Sequence, residues 1–235
     1  MFKYKKDNPT SYALGTTLAF ELLKHRPEMA RRLYISPLQK RDETYKQLVS
    51  LAREHHVAII ENNEKIFREL TEKDNVMVIA EFEKFYDKLD ENENHVVLVN
   101  PSNLGNLGTI VRAMAGFSFL NLAIIRPACD PFDPKAVRAS MGAIFDMHVA
   151  MFDSYQDYQE TYKKQYPYPF MLQATQELKK AEKRYPCALL FGNEATGLDR
   201  SFLELGEPLI IPHSPLIDSL NLDNAVSIAL YEFSK

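Results

Sequence analysis

Cysteine is nearly absent: Cys129 and Cys187 are the only two in 235 residues. Neither has a second cysteine or a histidine at metal-ligand spacing, which argues against a structural zinc site and leaves two free, buried thiols as the simplest reading. No metal site of any kind is expected. Long apolar runs are also missing, and nothing approaches the stretch needed to span a bilayer. The opening MFKYKKDNPTSYALG is basic and then polar where a secretory signal would be continuously apolar, so a cytoplasmic protein is expected. Neither a Walker A loop nor a GxGxxG fingerprint occurs, which removes the phosphate-cradling and dinucleotide-binding classes, nicotinamide oxidoreductases included.

What is present begins with an uneven charge distribution. The formal net charge is −4, but residues 1–41 hold nine Lys/Arg against three acids. A local basic face of this kind can meet phosphate although the whole chain is acidic; a solvated helix surface would look the same.

The hydrophobic pattern divides the chain in two. Over residues 1–90 the periodicity predicts a helix at 13–25, a strand at 32–36, a helix at 42–56 opened by an Asp cap, a strand at 57–61, a helix near 63–70 and a strand at 75–82. Residues 83–95 are charged and serve as the candidate linker. Beyond them, VVLVN (96–100), NLAIIR (121–126), FMLQA (170–174), CALLFG (187–192) and PLIIP (208–212) read as buried strands, and a helix closes the chain at about 221–233. Strands alternating with helices predict an α/β fold with a parallel sheet.

Three segments differ from plain scaffold, and each follows a strand, where α/β sheets place their sites. In 96–117 a strand runs into a loop with Asn103, Gly105, Asn106 and Gly108, then into a helix carrying Arg112. In 189–202 a strand meets a glycine-bearing turn with Glu194. In 210–233 a strand ends at Pro212 and delivers Ser219-Leu220-Asn221 to the start of a helix. Taken singly, each has a plain structural explanation: a turn, a surface carboxylate, an N-cap.

Taken in order, the three resemble the motifs of the SpoU family of RNA ribose methyltransferases, within the SPOUT superfamily. Asn106-Leu107-Gly108-Thr109-Ile110-Val111-Arg112 matches the family's Asn-x-Gly-x-x-x-Arg. Phe191 through Leu198 matches Phe-Gly-x-Glu-x-x-Gly-Leu, and Ile211-Pro212 with Ser219-Leu220-Asn221 and Ala225 matches the third motif. The stretch PKAVRASMGAIF (134–145) also looks like that family.

The resemblance implies a small α/β RNA substrate-binding domain of ribosomal-protein-like fold at 1–90. It implies a trefoil-knotted α/β SPOUT methyltransferase domain at 91–235 and a homodimer with the active site near the subunit interface. S-adenosylmethionine would lie against backbone groups around Gly192, Ile211 and Leu220. The implied reaction moves its methyl group to a ribose 2′-hydroxyl of RNA, with ribosomal RNA favoured and transfer RNA the other candidate.

By the same resemblance Arg112, Glu194, Asn221, Ser219 and Asn106 are the catalytic candidates. Glu194 would orient Arg112 through a charge-assisted hydrogen bond. Family arginines at that place have been described as general bases; a guanidinium, always protonated, is better suited to holding phosphate and stabilising alkoxide charge. Arg138 and Ser140 either contact RNA or brace their loop.

The third motif departs from the family at His213-Ser214-Pro215 and at Asp223, which bears on cofactor contacts more than on the reaction class. A catalytically silent RNA-binding protein of ribosome assembly is the alternative reading; the joint presence of Arg112, Glu194 and Asn221 argues against it.

Overall fold

The computed structural model describes residues 3–71 and 75–235. In chain order it runs through β1 (Thr10–Leu14), α1 (Thr16–His25), β2 (Ala30–Ile35), α2 (Glu43–Glu54), β3 (Ala58–Glu61), α3 (Glu64–Leu70) and β4 (Val78–Glu83). It continues with β5 (His95–Val99), α4 (Leu104–Gly116), β6 (Asn121–Ile125), α5 (Pro134–Ala139), β7 (His148–Phe152), α6 (Tyr155–Thr161) and β8 (Tyr166–Pro169). The last elements are β9 (Gln176–Glu177), β10 (Cys187–Phe191), β11 (Leu209–Ile210) and α7 (Leu222–Phe233).

Two compact units result. One comprises residues 1–85 together with 130–146, the other 86–129 together with 147–235. The first is built on a sheet of order β1-β4-β2-β3, in which β4 is antiparallel to both neighbours and β3 is an edge strand parallel to β2. The helix expected from residue 13 starts only at Thr16, because Thr10–Leu14 pairs with β4 instead. Gly15 separates the two elements with φ 120°, a conformation open to glycine and strained for other residues. α2 matches its sequence signal: the Asp42 side chain accepts from the Tyr45 N–H at 3.0 Å and caps the helix.

The segment 130–146 is fixed to this unit by polar as well as apolar contacts. Lys84 Nζ and Asp130 Oδ2 are 2.6 Å apart with both side chains only 5% exposed. Asp130 also accepts from the Phe132 N–H at 2.8 Å, and Phe82 packs edge-on against Phe132 and Phe145. Removing one partner of so buried an ion pair would cost about 3–5 kcal/mol.

The second unit holds a five-stranded sheet of order β7-β6-β5-β10-β8, parallel throughout. β6 and β10 are buried along their whole length, as expected of apolar runs covered on both faces. The strand expected at 170–174 lies instead one step earlier, at Tyr166–Pro169, and FMLQA forms the loop beyond it. Prolines are admitted there because β8 is an edge. Tyr166 and Phe170 donate to Pro186 and Leu190 on the β10 side, so the alternate positions Pro167 and Pro169 have no ladder bond to lose. PLIIP is likewise strand only over Leu209–Ile210, which pairs with β9. α7 packs against α4 and β10. No helix among the described residues is long and apolar enough to cross a membrane.

Candidate active site

The chain order of the parallel sheet reverses between β5 and β10. Loops leaving two such strands diverge and open a crevice at their carboxyl ends. Beyond β5, Asn103 caps α4: its Oδ1 accepts from the N–H groups of Gly105 (2.8 Å) and Asn106 (3.1 Å). Beyond β10, a tight turn closes where the Gly197 N–H donates to the Asn193 carbonyl at 2.8 Å, while Asn193 Oδ1 accepts from Ala195 (2.9 Å) and Thr196 (3.3 Å).

Glu194 ties the two loops together. Its Oε2 accepts from the Ser102 N–H (3.1 Å) and hydroxyl (2.8 Å), and its Oε1 from the Asn103 N–H (3.1 Å) and Asn106 Nδ2 (3.5 Å). Asn193 Nδ2 adds a bond to the Asn100 carbonyl at 2.8 Å. Burial works to raise the Glu194 carboxyl. Its own backbone, the Ser102 hydroxyl and the N–H groups of Ser102 and Asn103 outweigh that, and hold the group below the usual carboxylate range. A carboxylate so occupied is a tether, unsuited to accept a proton near neutrality.

Beside this tether lies a cavity of about 220 Å³, walled by the loops beyond β8, β10 and β11 and by the start of α7. Apolar groups including Leu198, Ile210, Ile211 and Leu220 dominate its lining, and the rings of Phe170 and Phe191 stack at 4.5 Å. Gly192, Glu194, Thr196, His213 and Ser219 also line it. His213 Nδ1 donates to the Ile211 carbonyl at 3.0 Å.

The sequence-derived candidates thus fall into three groups. Gly192, Glu194, Ile211, Ser219 and Leu220 share the cavity. Asn106 reaches it through Glu194. Arg112 and Asn221 lie outside its lining. The expected pairing of Glu194 with Arg112 is absent: Glu194 bonds the start of α4, and Arg112 makes no hydrogen bond or ion pair among the described residues. Asn106 to Arg112 is six residues, about 9 Å along a helix, which is why one carboxylate does not serve both. Asn221 is the residue at the N-cap of α7, yet its side chain makes no capping bond. Ser140 is buried and its hydroxyl donates to the Val137 carbonyl at 2.8 Å, so it braces its loop, whereas Arg138 is exposed.

The sequence profile of the SpoU rRNA methylase family matches residues 93–231. The chain belongs to this family. Residues 12–87 match a second profile, described as RNA 2′-O ribose methyltransferase substrate binding. Among curated SpoU relatives, an uncharacterised tRNA/rRNA methyltransferase of Synechocystis is 32% identical over 140 residues, 58% of this chain and 51% of the relative. A 23S rRNA uridine-2′-O-methyltransferase of Streptomyces viridochromogenes is 30% identical over 58% of this chain and 50% of its own length. The chain therefore spans about half the length of these relatives. Among solved structures, the AdoMet-bound rRNA methyltransferase of Sinorhizobium meliloti superposes with a TM-score of 0.82 at 27% identity, covering 95% of this chain and 86% of that one. The SpoU methyltransferase of S. viridochromogenes with AdoMet shares the fold at TM-score 0.85 and 22% identity, over 96% and 89% of the two chains.

Two residues of this SpoU site had no distinct signal in the sequence: Ser102 and Asn193, both partners of Glu194. Their contacts join loops more than ninety positions apart, a distance that no local pattern spans. The thiols stand apart from the site. Cys187 is buried and its thiol is pushed up to about 12 by that burial, while Cys129 is only half-buried. Among the described residues no three His, Cys, Asp or Glu side chains gather to hold a metal ion.

Proposed function

We propose that this SpoU protein transfers a methyl group from S-adenosylmethionine to a ribose 2′-hydroxyl of RNA, with ribosomal RNA favoured over transfer RNA. The observation that carries the proposal is the shared cavity: Gly192, Glu194, Ile211, Ser219 and Leu220, from two separate sequence motifs, line one space at the switch point of the sheet. Its makeup suits the cofactor. Apolar and aromatic walls accept a flat base, and Glu194, Thr196, Ser219 and His213 offer polar contacts for a ribose and a charged amino-acid end. The bound cofactor supplies an electrophilic methyl on a sulfonium.

The chain's own residues have the remaining tasks. Glu194 holds the start of α4 against the cavity loop and so fixes Asn106. Arg112, exposed and without a partner among the described residues, is free to engage an RNA phosphate and would stabilise the oxygen as its proton passes to solvent, the O–C bond forms and the S–C bond breaks to leave the thioether. Ser219 and Asn221, whose side chains also lack partners among the described residues, are available to the ribose and its flanking phosphates. Residues 1–90 serve as the RNA substrate-binding domain and 91–235 as the methyltransferase domain, with the trefoil knot in the loops that wall the cavity. These assignments extend the match of residues 12–87 to the substrate-binding profile. The cytoplasm, where ribosomal RNA is made and modified in bacteria, is the expected setting.

A homodimer completes the site. Arg112 lies on a stripe of α4 with Gly105, Thr109 and Gly116, all exposed, and α7 beside it exposes Ile228 (40%) and Tyr231 (55%). A second copy on this surface covers the apolar side chains and brings an Arg112 to a cavity that its own chain does not line. Light scattering should therefore give twice 27.1 kDa, and a monomer at assay concentration would remove the dimer from the proposal.

The reaction itself is tested by incubating bulk ribosomal and transfer RNA with the protein and isotopically labelled S-adenosylmethionine, then analysing nucleosides by mass spectrometry. A labelled 2′-O-methylnucleoside is the expected product. Label in a base, or cofactor binding without label in either RNA pool, would overturn the proposal and favour the silent RNA-binding reading.

A further inference from the structure

The unit formed by residues 1–85 and 130–146 carries a groove of its own, about 610 Å³, between α2 and the edge strand β3. Val49, Val57 and Ile59 form its apolar floor. At one side Arg41 is held in an unusually defined position for an exposed arginine. Its Nη1 and Nη2 donate to Glu61 Oε1 and Oε2, each at 3.0 Å, and its Cζ lies 4.7 Å from the centroid of the Tyr45 ring. The Tyr45 hydroxyl in turn donates to Glu61 Oε1 at 2.9 Å. The guanidinium thus lies over the Tyr45 ring with one edge taken by a carboxylate and Nη1 also donating to the Tyr45 hydroxyl, while the side chain remains 60% exposed. Arg53, also on the groove, is exposed and has no hydrogen bond or ion pair among the described residues.

We propose that this groove docks one unpaired nucleotide of the RNA substrate, with its base stacked on the outer face of the Arg41 guanidinium above the apolar floor and its phosphate on Arg53. The inference rests on the RNA-methylation reading and adds where, and in what form, the RNA is gripped. Three features favour this occupant. A planar guanidinium is a stacking surface for bases, and one already pinned loses little freedom when a base arrives. Glu61 neutralises Arg41 locally, so Arg41 is suited to a base face and the unpaired Arg53 to a phosphate. A base inside a duplex has both faces covered by its neighbours, so the surface selects single-stranded, bulged or looped RNA.

The test uses the full chain, a fluorescein-labelled single-stranded oligoribonucleotide of mixed sequence, and the corresponding duplex, read by anisotropy over a range of salt. Arg41→Lys keeps the charge and removes the planar surface; it should weaken single-strand binding about tenfold while leaving duplex binding and the salt slope unchanged. Arg53→Ala should reduce the single-strand salt slope by about 0.7, the value for one lost phosphate contact. Unchanged single-strand affinity in Arg41→Lys, or an equal loss for the duplex, would overturn the stacking site. A wild-type protein that binds neither RNA would overturn the RNA reading along with it. Thermal melts coincident with the wild type would establish that both variants fold, as their exposed positions lead one to expect.

Discussion

Arg112→Ala is expected to lower turnover on the order of a hundred- to a thousandfold, while S-adenosylmethionine binds as before. The separation follows from position. Arg112 is exposed on α4, outside the lining of the cavity, and makes no hydrogen bond or ion pair among the described residues. Its removal leaves no buried partner unsatisfied, so stability should stay within about 0.5 kcal/mol of wild type. Cofactor affinity by calorimetry and single-turnover rates with labelled cofactor would resolve the two effects. Unchanged turnover would take Arg112 out of the mechanism.

Arg112→Lys addresses how the residue acts. A guanidinium offers a rigid fork that grips two oxygens of a phosphate, and an ammonium replaces it only as a point charge. If Arg112 both positions the phosphate and stabilises the developing alkoxide, the lysine variant should recover part of the rate with a raised KM for RNA. A general-base role predicts something else. A lysine can release its proton near pH 10, so the variant would then gain rate steeply with pH, whereas a purely electrostatic role loses rate as the ammonium deprotonates. The sign of the pH dependence above pH 9 separates the two.

Much of the second unit was legible because its strands are buried on both faces. VVLVN, NLAIIR and CALLFG announce themselves as continuous apolar runs, and they form the adjacent strands β5, β6 and β10. Edge elements were harder. β8 carries two prolines and gives no strand signal, so the strand is expected at FMLQA just beyond it, although proline costs an edge strand little on its free side. The first three residues of β1 carry no signal, and its end falls in a helical pattern because Ala13 and Leu14 extend the spacing of α1. Only the backbone angle at Gly15 divides them, and spacing alone does not reveal it.

The site divides along the same line. Motif order brought Gly192, Ile211 and Leu220 together by resemblance, and they do line one cavity. The partners of Glu194 were not legible, because its oxygens meet backbone N–H groups at Ser102 and Asn103, which any residue but proline could supply. For the same reason an arginine is the more obvious partner to infer, and none bonds Glu194 among the described residues. The union of residues 130–146 with the first unit is also a product of long-range contacts. Lys84 and Asp130 are ordinary surface types by composition, and only their mutual burial makes them a joint.

Gly192→Ala should be strongly damaging to the cofactor site. A Cβ at this position would stand 2.1 Å from the Gly197 carbonyl carbon, 2.3 Å from the Leu198 nitrogen and 2.4 Å from the Gly197 oxygen. All three are backbone atoms, so no side chain can swing away to relieve the contact. The turn they belong to is closed by Asn193 and tethered through Glu194 to the start of α4, so it cannot retreat without straining those bonds. Overpacking of this kind costs about 3 kcal/mol or more at its upper end. If the turn yields to relieve it, the cavity wall moves, and a loss of that size in binding is about a hundredfold in Kd. Calorimetry with S-adenosylmethionine and a thermal melt should both register the change. Gly116→Ala provides the control within one chain, because a Cβ there meets nothing of its own chain within 4 Å and lies in a helix, where alanine is favoured; light scattering of the variant checks that the dimer is kept. That variant should bind cofactor normally and melt no lower than wild type. Wild-type cofactor affinity in a folded Gly192→Ala protein would mean that the turn beyond β10 does not shape the cofactor site.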